Sequence, residues 1–276
     1  MIPRGAILGG ATALLLAVGM AFWLAQPPDP PAEQEESGER LPIPPLPPRV
    51  AGDSRYEQCM NMLGSDPAGA VVLAERWDAA GGGDAAAHCR GLAQIALGEV
   101  EDGARLLERL ADTGGPGPAT RASIYGQAAQ GWMIAGNIPR AYAASSLALS
   151  LTPDDPDLLV DHAISAATLG QYHEAAEDLS RALTVDPRRI DALVLRGSAW
   201  RHLGDLIRAQ DDIDRALILD ADNAEALLER GILRQRRQDR AGARADWQRA
   251  IEVAPDSPAA DLAQQNLSLL EAGPSR

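Results

Sequence analysis

Apolar and small residues recur along residues 122–257 at the spacing of amphipathic α-helices, and the pattern repeats every 34 residues without a gap. The four repeats begin at residues 122, 156, 190 and 224. Position eight is always small, and positions twenty and twenty-seven are always Ala: Ala129, Ala163, Gly197, Gly231, Ala141, Ala175, Ala209, Ala243, Ala148, Ala182, Ala216 and Ala250. Small side chains let two helices approach closely, so each repeat is predicted to form an antiparallel helix pair.

Glycine and proline mark the predicted turns. Position fifteen, between the two helices of a pair, carries Gly136, Gly170 and Gly204, with Gln238 as the departure. Position thirty-two, between consecutive pairs, carries Pro153, Pro187 and Pro255, with Ala221 as the exception. Because proline ends a helix and glycine tolerates a tight turn, these positions predict where each helix stops.

The same pattern continues more loosely on both sides of the four repeats. Residues 53–121 fit two degenerate helix pairs, and four extra residues break the register before Ala122. Residues 258–272 predict one more helix, with Ser257 as its cap and Pro258 at its first position. Such a helix would cover the exposed end of the stack, as terminal caps of repeat arrays do.

The register of these positions resembles that of the tetratricopeptide repeat. The resemblance covers residues 122–257, as the segments 122–155, 156–189, 190–223 and 224–257. It implies an all-α fold in which antiparallel helix pairs stack into a right-handed superhelical array. It also implies a concave surface, lined mainly by the first helix of each pair, on which a protein or peptide partner binds.

The amino-terminal segment, residues 1–26, is predicted to be a membrane anchor or a signal sequence. Residues 5–26 carry no charge and are long enough to span a bilayer, with Arg4 before them and acidic residues after them. This asymmetry predicts a bacterial inner-membrane protein whose body faces the periplasm. A cleaved leader, leaving a soluble periplasmic protein, is the alternative.

Residues 27–52 are predicted to be a disordered, acidic and proline-rich linker. Nine prolines lie between residues 27 and 48, in two clusters that flank an acidic stretch. Proline fixes the backbone angle and favours extended structure, so this segment reads as a spacer. Docking of residues 41–48 into an aromatic groove is the alternative.

Composition excludes several classes of function. The chain has no Lys, so all 25 basic residues are Arg, and neither a Schiff-base lysine nor a phosphate-loop lysine is present. A net charge of −14 argues against nucleic-acid binding. The four His residues are scattered without metal-ligand spacing. We therefore expect no metal, cofactor, catalytic residue or small-molecule substrate, and no enzymatic activity.

Two cysteines, Cys59 and Cys89, are predicted to form a disulfide. They lie 30 residues apart, each in the first helix of its predicted pair, and stacking brings consecutive first helices side by side. In an oxidising compartment the bond would contribute on the order of 3 kcal/mol at the weakest part of the array. Two unpaired buried thiols are the alternative.

The resemblance also assigns candidate partner-binding residues to the concave surface. Positions two, five, nine and twelve of the first helices carry Gln130, Asp157, Val160, Ile164, Asp191, Val194, Arg201, Glu225, Leu228 and Ile232. Five of these form an apolar stripe that a peptide or helix could cover. Alternatively, superhelical curvature or the linker covers the stripe, and the acidic residues only complement the helix dipole.

These features predict a non-catalytic scaffold of the cell envelope that binds a partner protein. A periplasmic assembly chaperone, which would hold an exported client transiently, is the alternative. Both predictions use the same surface, and they differ in how long the partner stays bound.

Overall fold

The computed structural model describes residues 51–113 and 117–272, in which thirteen α-helices pack as successive antiparallel pairs. The predicted anchor and nearly all of the predicted linker lie outside the described residues. The helices are α1 (Ser54–Met62), α2 (Pro67–Ala79), α3 (Gly83–Leu97), α4 (Val100–Asp112), α5 (Pro118–Ile134), α6 (Ile138–Leu151), α7 (Pro156–Thr168), α8 (Tyr172–Val185), α9 (Ile190–His202), α10 (Leu206–Leu219), α11 (Ala224–Arg236), α12 (Arg240–Val253) and α13 (Pro258–Ala272).

The helices begin where the sequence supplies caps. Asp155 and Asn223 accept hydrogen bonds from backbone N–H groups in the first turns of α7 and α11, and Ser257 does so for α13. The first residues of α7, α9 and α11 coincide with repeat starts 156, 190 and 224. By contrast, α5 begins at Pro118, four residues before the first repeat, since proline is well suited to the first turn of a helix.

Left-handed backbone at position fifteen makes the turn within each repeat. Gly136, Gly170 and Gly204 have φ values of +72°, +80° and +82°. Gln238 takes the same conformation with φ of +65°, so the turn keeps its geometry although the glycine is missing. A side chain in this region is strained, which makes the fourth turn the least favourable of the set.

Apolar residues along the array separate into two main clusters that meet at α7. One cluster runs from Cys59 to Leu158, and the other runs from Leu159 to Leu270. Each helix pair buries its face only against its neighbours, since α5 contacts α7, α7 contacts α9 and α9 contacts α11. The core is therefore a continuous strip of pairwise contacts.

Arginine at position twenty-six ties each of three repeats to the turn before it. Arg181 donates to the carbonyl oxygen of Pro153, and Arg215 donates to that of Pro187 at 3.1 Å. Arg249 reaches Asp222 in the next turn of the series at 2.7 Å. These contacts link consecutive pairs along the array.

Cys59 and Cys89 form the predicted disulfide between α1 and α3, with their Cα atoms 6.2 Å apart. Both residues are fully buried. His88, next to Cys89, is also fully buried; its Nδ1 accepts from the Tyr56 hydroxyl at 3.0 Å and its Nε2 donates to Gln127 Oε1 at 2.8 Å. The imidazole of His88 thus joins α1, α3 and α5, which are the first helices of three successive pairs.

Burial lowers the pKa of His88 to about 4, although the hydrogen bond to Gln127 opposes the shift. Since an unfolded histidine titrates near 6.5, the unfolded chain binds more protons than the native one between pH 6.5 and 4. We therefore expect the free energy of unfolding to fall by about 3 kcal/mol from this group as the pH is lowered through that window. Urea denaturation at pH 7 and pH 4 measures the change.

The His88→Gln variant is the control for this prediction. Its free energy of unfolding should depend less on pH than that of the parent, because the group that gains a proton on unfolding is gone. Asp161, whose pKa burial raises to about 6, acts in the opposite direction but is common to both proteins. Equal pH dependence in the two proteins would show that His88 is not buried in its neutral form.

Candidate functional site

The apolar residues predicted on the concave surface are largely part of the core. Val160, Val194 and Leu228 are only 4%, 7% and 7% exposed, because they pack in the buried cluster that runs from α7 to α13. Ile164 and Ile232 are half-buried and pack against the same cluster. Neighbouring helices thus cover most of the stripe, and a partner can reach only Ile164 and Ile232 without local unfolding.

The acidic residues at position two are on the surface. Arg189 donates to Asp191 at 3.0 Å and also pairs with Asp157, so one arginine holds two carboxylates from successive repeats. Burial alone would lower the pKa of Arg189, but the hydrogen bonds that it donates to both carboxylates raise that pKa above its ordinary value. Glu225 is exposed and has no ion pair with any residue in the described ranges. Of the three carboxylates, Glu225 is the one left to attract a basic partner.

Polar residues along the first helices form links between repeats. Gln130 donates to Asp161 at 2.8 Å, and two repeats later Ser198 donates to Glu229 at 3.0 Å. Arg201 pairs with Glu229 at 2.7 Å, with both side chains mostly buried. Burial raises the pKa of Asp161 to about 6, and the hydrogen bond from Gln130 limits that rise. Gln130 and Arg201 therefore position neighbouring helices, and their polar atoms are already engaged.

A cleft of about 240 Å³ opens between α7 and α9. Its apolar walls include Ile164 and Leu195, and its polar rim includes Thr168, Ser198 and His202. Tyr172 stacks on His202, with ring centroids 4.2 Å apart and an interplanar angle of 9°. Burial lowers the pKa of His202, and the nearby Arg201 lowers it further. The cleft has the volume and lining to take one apolar side chain of a peptide.

A serine, a histidine and an aspartate come together between the first two repeats. Ser146 Oγ lies 3.0 Å from His162 Nε2, and His162 Nδ1 lies 2.6 Å from Asp178 Oδ2. Ser146 also donates to the carbonyl oxygen of Tyr142 at 2.7 Å. Since the single serine proton is used in this bond, Ser146 Oγ is left to accept a hydrogen bond from His162 Nε2.

The next repeat shows what these three positions do. Ser180, Arg196 and Asp212 occupy them, and Arg196 donates to Asp212 at 2.8 and 2.7 Å and to Ser180 at 3.0 Å. Arginine remains protonated and cannot act as a general base. The serine, histidine and aspartate therefore form an inter-repeat link in which His162 takes the place of an arginine.

Neither a metal-binding cluster nor a membrane-spanning helix occurs in residues 51–113 and 117–272. No group of three or more His, Cys, Asp or Glu side chains in these ranges could hold a metal ion. None of the helices in these ranges is both long and apolar enough to cross a bilayer. The segment predicted to be the anchor lies outside them.

Comparisons with known proteins identify the repeat. Residues 133–199 and residues 225–257 match family models described as the tetratricopeptide repeat. No curated protein sequence matches the chain. The two matched segments and the packed helix pairs together show tetratricopeptide-type repeats before and after the third repeat.

Several solved structures share the fold. Pseudomonas aeruginosa PilF superposes with a TM-score of 0.61 at 13% identity, covering 78% of this chain and 96% of PilF. YrrB, described as a TPR protein with an unusual peptide-binding site, gives 0.51 at 17% identity, covering 79% and 100%. MamA gives 0.51 at 14% identity, covering 60% and 94%. At these identities the likeness concerns the fold alone.

Proposed function

We propose that this chain, in which residues 133–199 and 225–257 match tetratricopeptide-repeat models, is a non-catalytic scaffold of the cell envelope that binds a partner peptide on its first-helix surface. The observation that carries the proposal is the cleft between α7 and α9. In this cleft the apolar walls formed by Ile164 and Leu195 remain open beside polar groups. YrrB, which shares the fold, is described as having a peptide-binding site.

The surface around the cleft favours a peptide over a small molecule. The cleft is too small for a drug-sized ligand but suits one anchoring side chain. Ile232 and Glu225 lie on α11, the first helix of the repeat that follows α9, so a longer chain could continue from the cleft. Glu225 is free to pair with a basic residue of the partner. The partner we propose is an extended or helical peptide with one apolar anchor.

The location in the envelope rests on the sequence of residues 1–52. An uncharged segment of membrane-spanning length, followed by a proline-rich spacer, would tether the repeats to the inner membrane and hold them on the periplasmic side. A cross-linker that cannot cross the inner membrane therefore provides a direct test. Products with this reagent require an exported body, and products only with a permeant reagent would place the body inside.

Changing Thr168 to Arg should abolish partner capture. Thr168 is exposed at the rim of the cleft, so the long charged side chain would block the anchor without disturbing the core. We expect at least a tenfold loss of the cross-linked product, which corresponds to about 1.4 kcal/mol of binding. Tagged full-length protein is cross-linked in cells, and the products are quantified by mass spectrometry.

Thr184→Arg is the matched control. Thr184 is an exposed threonine on α8 whose hydroxyl makes the same hydrogen bond, to the carbonyl oxygen four residues earlier. It should retain capture. Equal capture by both variants would show that the partner binds outside the cleft.

The captured proteins also distinguish the scaffold from the chaperone. A single abundant partner that stays bound indicates a scaffold, whereas many exported clients that dissociate quickly would indicate the chaperone alternative.

A further inference from the structure

At the first repeat, a glutamate carboxylate binds a tryptophan and an arginine that lie against each other. Arg140 lies over the ring of Trp132, with its guanidinium carbon 4.1 Å from the ring centroid. Glu108, on α4 of the preceding pair, accepts from Arg140 Nη2 at 2.9 Å and from Trp132 Nε1 at 3.2 Å. A glutamate carboxylate therefore completes a receptor made of an indole N–H and a stacked guanidinium.

The third repeat has the same tryptophan and arginine, but a serine stands at the position of the glutamate. Trp200 and Arg208 occupy the same repeat positions as Trp132 and Arg140, and the Arg208 guanidinium carbon lies 3.5 Å from the Trp200 ring centroid. The residue at the position of Glu108 is Ser180, whose short side chain cannot reach the indole. A cavity of about 720 Å³, lined by Ser180, Trp200 and Arg208, lies in its place.

The donors of this second receptor are open. Within residues 51–113 and 117–272, no group accepts from Trp200 Nε1. Because no buried side-chain nitrogen or oxygen in this part of the chain lacks a partner, the indole N–H must be accessible to solvent. Arg208 uses Nε to bind Asp205 at 2.6 Å, and its two Nη groups have no acceptor in the described residues. Both donors that bind the carboxylate at the first repeat are thus available at the third.

The other charges around the cavity are mostly engaged with one another. Arg196 and Arg215 both face Asp212, at 2.7 and 3.5 Å. Asp214 accepts from Gln210 at 2.7 Å, and Asp211 lines the cavity as an exposed carboxylate. The lining has three arginines and three aspartates, and Asp205 adds a carboxylate beside Arg208, so the net charge of the cavity does not favour an anion. Selection of an anion there depends on the geometry of Trp200 and Arg208.

We propose that the Trp200–Arg208 cavity binds the carboxylate of a glutamate side chain presented by a partner protein. The carboxylate would accept from Trp200 Nε1 and from an Arg208 Nη group, as the Glu108 carboxylate does from Trp132 and Arg140. Charge-assisted bonds of this kind are roughly twice as strong as neutral ones. The cavity is lined mainly by α9 and α10, whereas the cleft proposed above lies between α7 and α9 and is lined by other residues, so this site stands independently of that cleft.

The test uses the indole N–H signals of ¹⁵N-labelled full-length protein in detergent, with Trp200→Phe assigning the Trp200 signal. Acetyl-Ala-Glu-Ala-amide should shift that signal in a saturable manner, and acetyl-Ala-Gln-Ala-amide should not. Arg208→Gln should weaken binding about tenfold, the loss expected for one charge-assisted hydrogen bond. A signal that does not move with the glutamate peptide, or moves equally with both peptides, overturns the proposal.

Two exchange variants make the test reciprocal. Ser180→Glu supplies the missing carboxylate from within the chain, so the Trp200 signal should stop responding to the peptide. Glu108→Ser opens the first receptor, so the Trp132 signal should begin to respond. Circular dichroism melting of each variant shows whether it is folded. Failure of Trp132 to respond in folded Glu108→Ser protein would show that the indole and guanidinium do not make a receptor, whatever the outcome for the α7–α9 cleft.

Discussion

The Trp247→Ala variant is expected to lose about 4 kcal/mol in free energy of unfolding. Trp247 is fully buried in the carboxy-terminal cluster and donates through Nε1 to the carbonyl oxygen of Leu228 at 3.2 Å. Gly231 faces it so closely that even a Cβ would overlap the indole. The cavity left by the ring cannot close, since the backbone on the facing helix already fixes the helix spacing. Urea denaturation followed by circular dichroism measures the loss.

Ile218→Ala is the control for this variant. Ile218 is 82% exposed on α10, so its truncation should change the free energy of unfolding by less than about 0.5 kcal/mol. A loss below about 1 kcal/mol in Trp247→Ala would mean that the last repeat repacks, and that its small residues do not hold the helices at a fixed distance.

Replacing Arg196 by Met should destabilise the protein by about 3 kcal/mol. Asp212 is 3% exposed and accepts two hydrogen bonds from Arg196, so the variant leaves a buried carboxylate with only the more distant Arg215. The double variant Arg196→Met with Asp212→Leu removes both charges and should regain most of the loss. Urea denaturation of the two variants and the parent measures both effects.

The Arg249→Met variant serves as the comparison, because its partners Asp222 and Glu252 are exposed to water. Its denaturation midpoint should stay close to that of the parent. If the double variant is as unstable as Arg196→Met alone, the loss comes from packing of the arginine stem and not from the unpaired aspartate.

The helix pairs could be predicted from the sequence because the repeat encodes local contacts. The constant Ala residues at positions twenty and twenty-seven are fully buried where the two helices of a pair meet. Exposure of position five could not be predicted in the same way. Whether Val160 or Leu228 faces solvent depends on how closely consecutive pairs stack, which the hydrophobic period does not specify.

The ion pairs within each of the last three repeats left a signal that hydrophobic patterning does not detect. Position seven carries His162, Arg196 and Arg230 in the last three repeats, and position twenty-three carries an aspartate in the same three. Aligning charged residues by repeat position would have predicted these pairs 16 residues apart. The Trp200 cavity differs, since it depends on a residue that is absent, and only the filled copy at Trp132 reveals it.

The covalent bond between Cys59 and Cys89 also determines how the chain carries mechanical tension. A pull applied at residue 51 passes from Cys59 in α1 directly to Cys89 in α3, so α2 and its turns stay off the load path. Without the bond, the 30-residue separation would release about 100 Å of extended chain before α3 felt the force. The oxidised pair thus keeps the amino-terminal end of the array short and stiff under tension, whereas reduction makes the same end extensible.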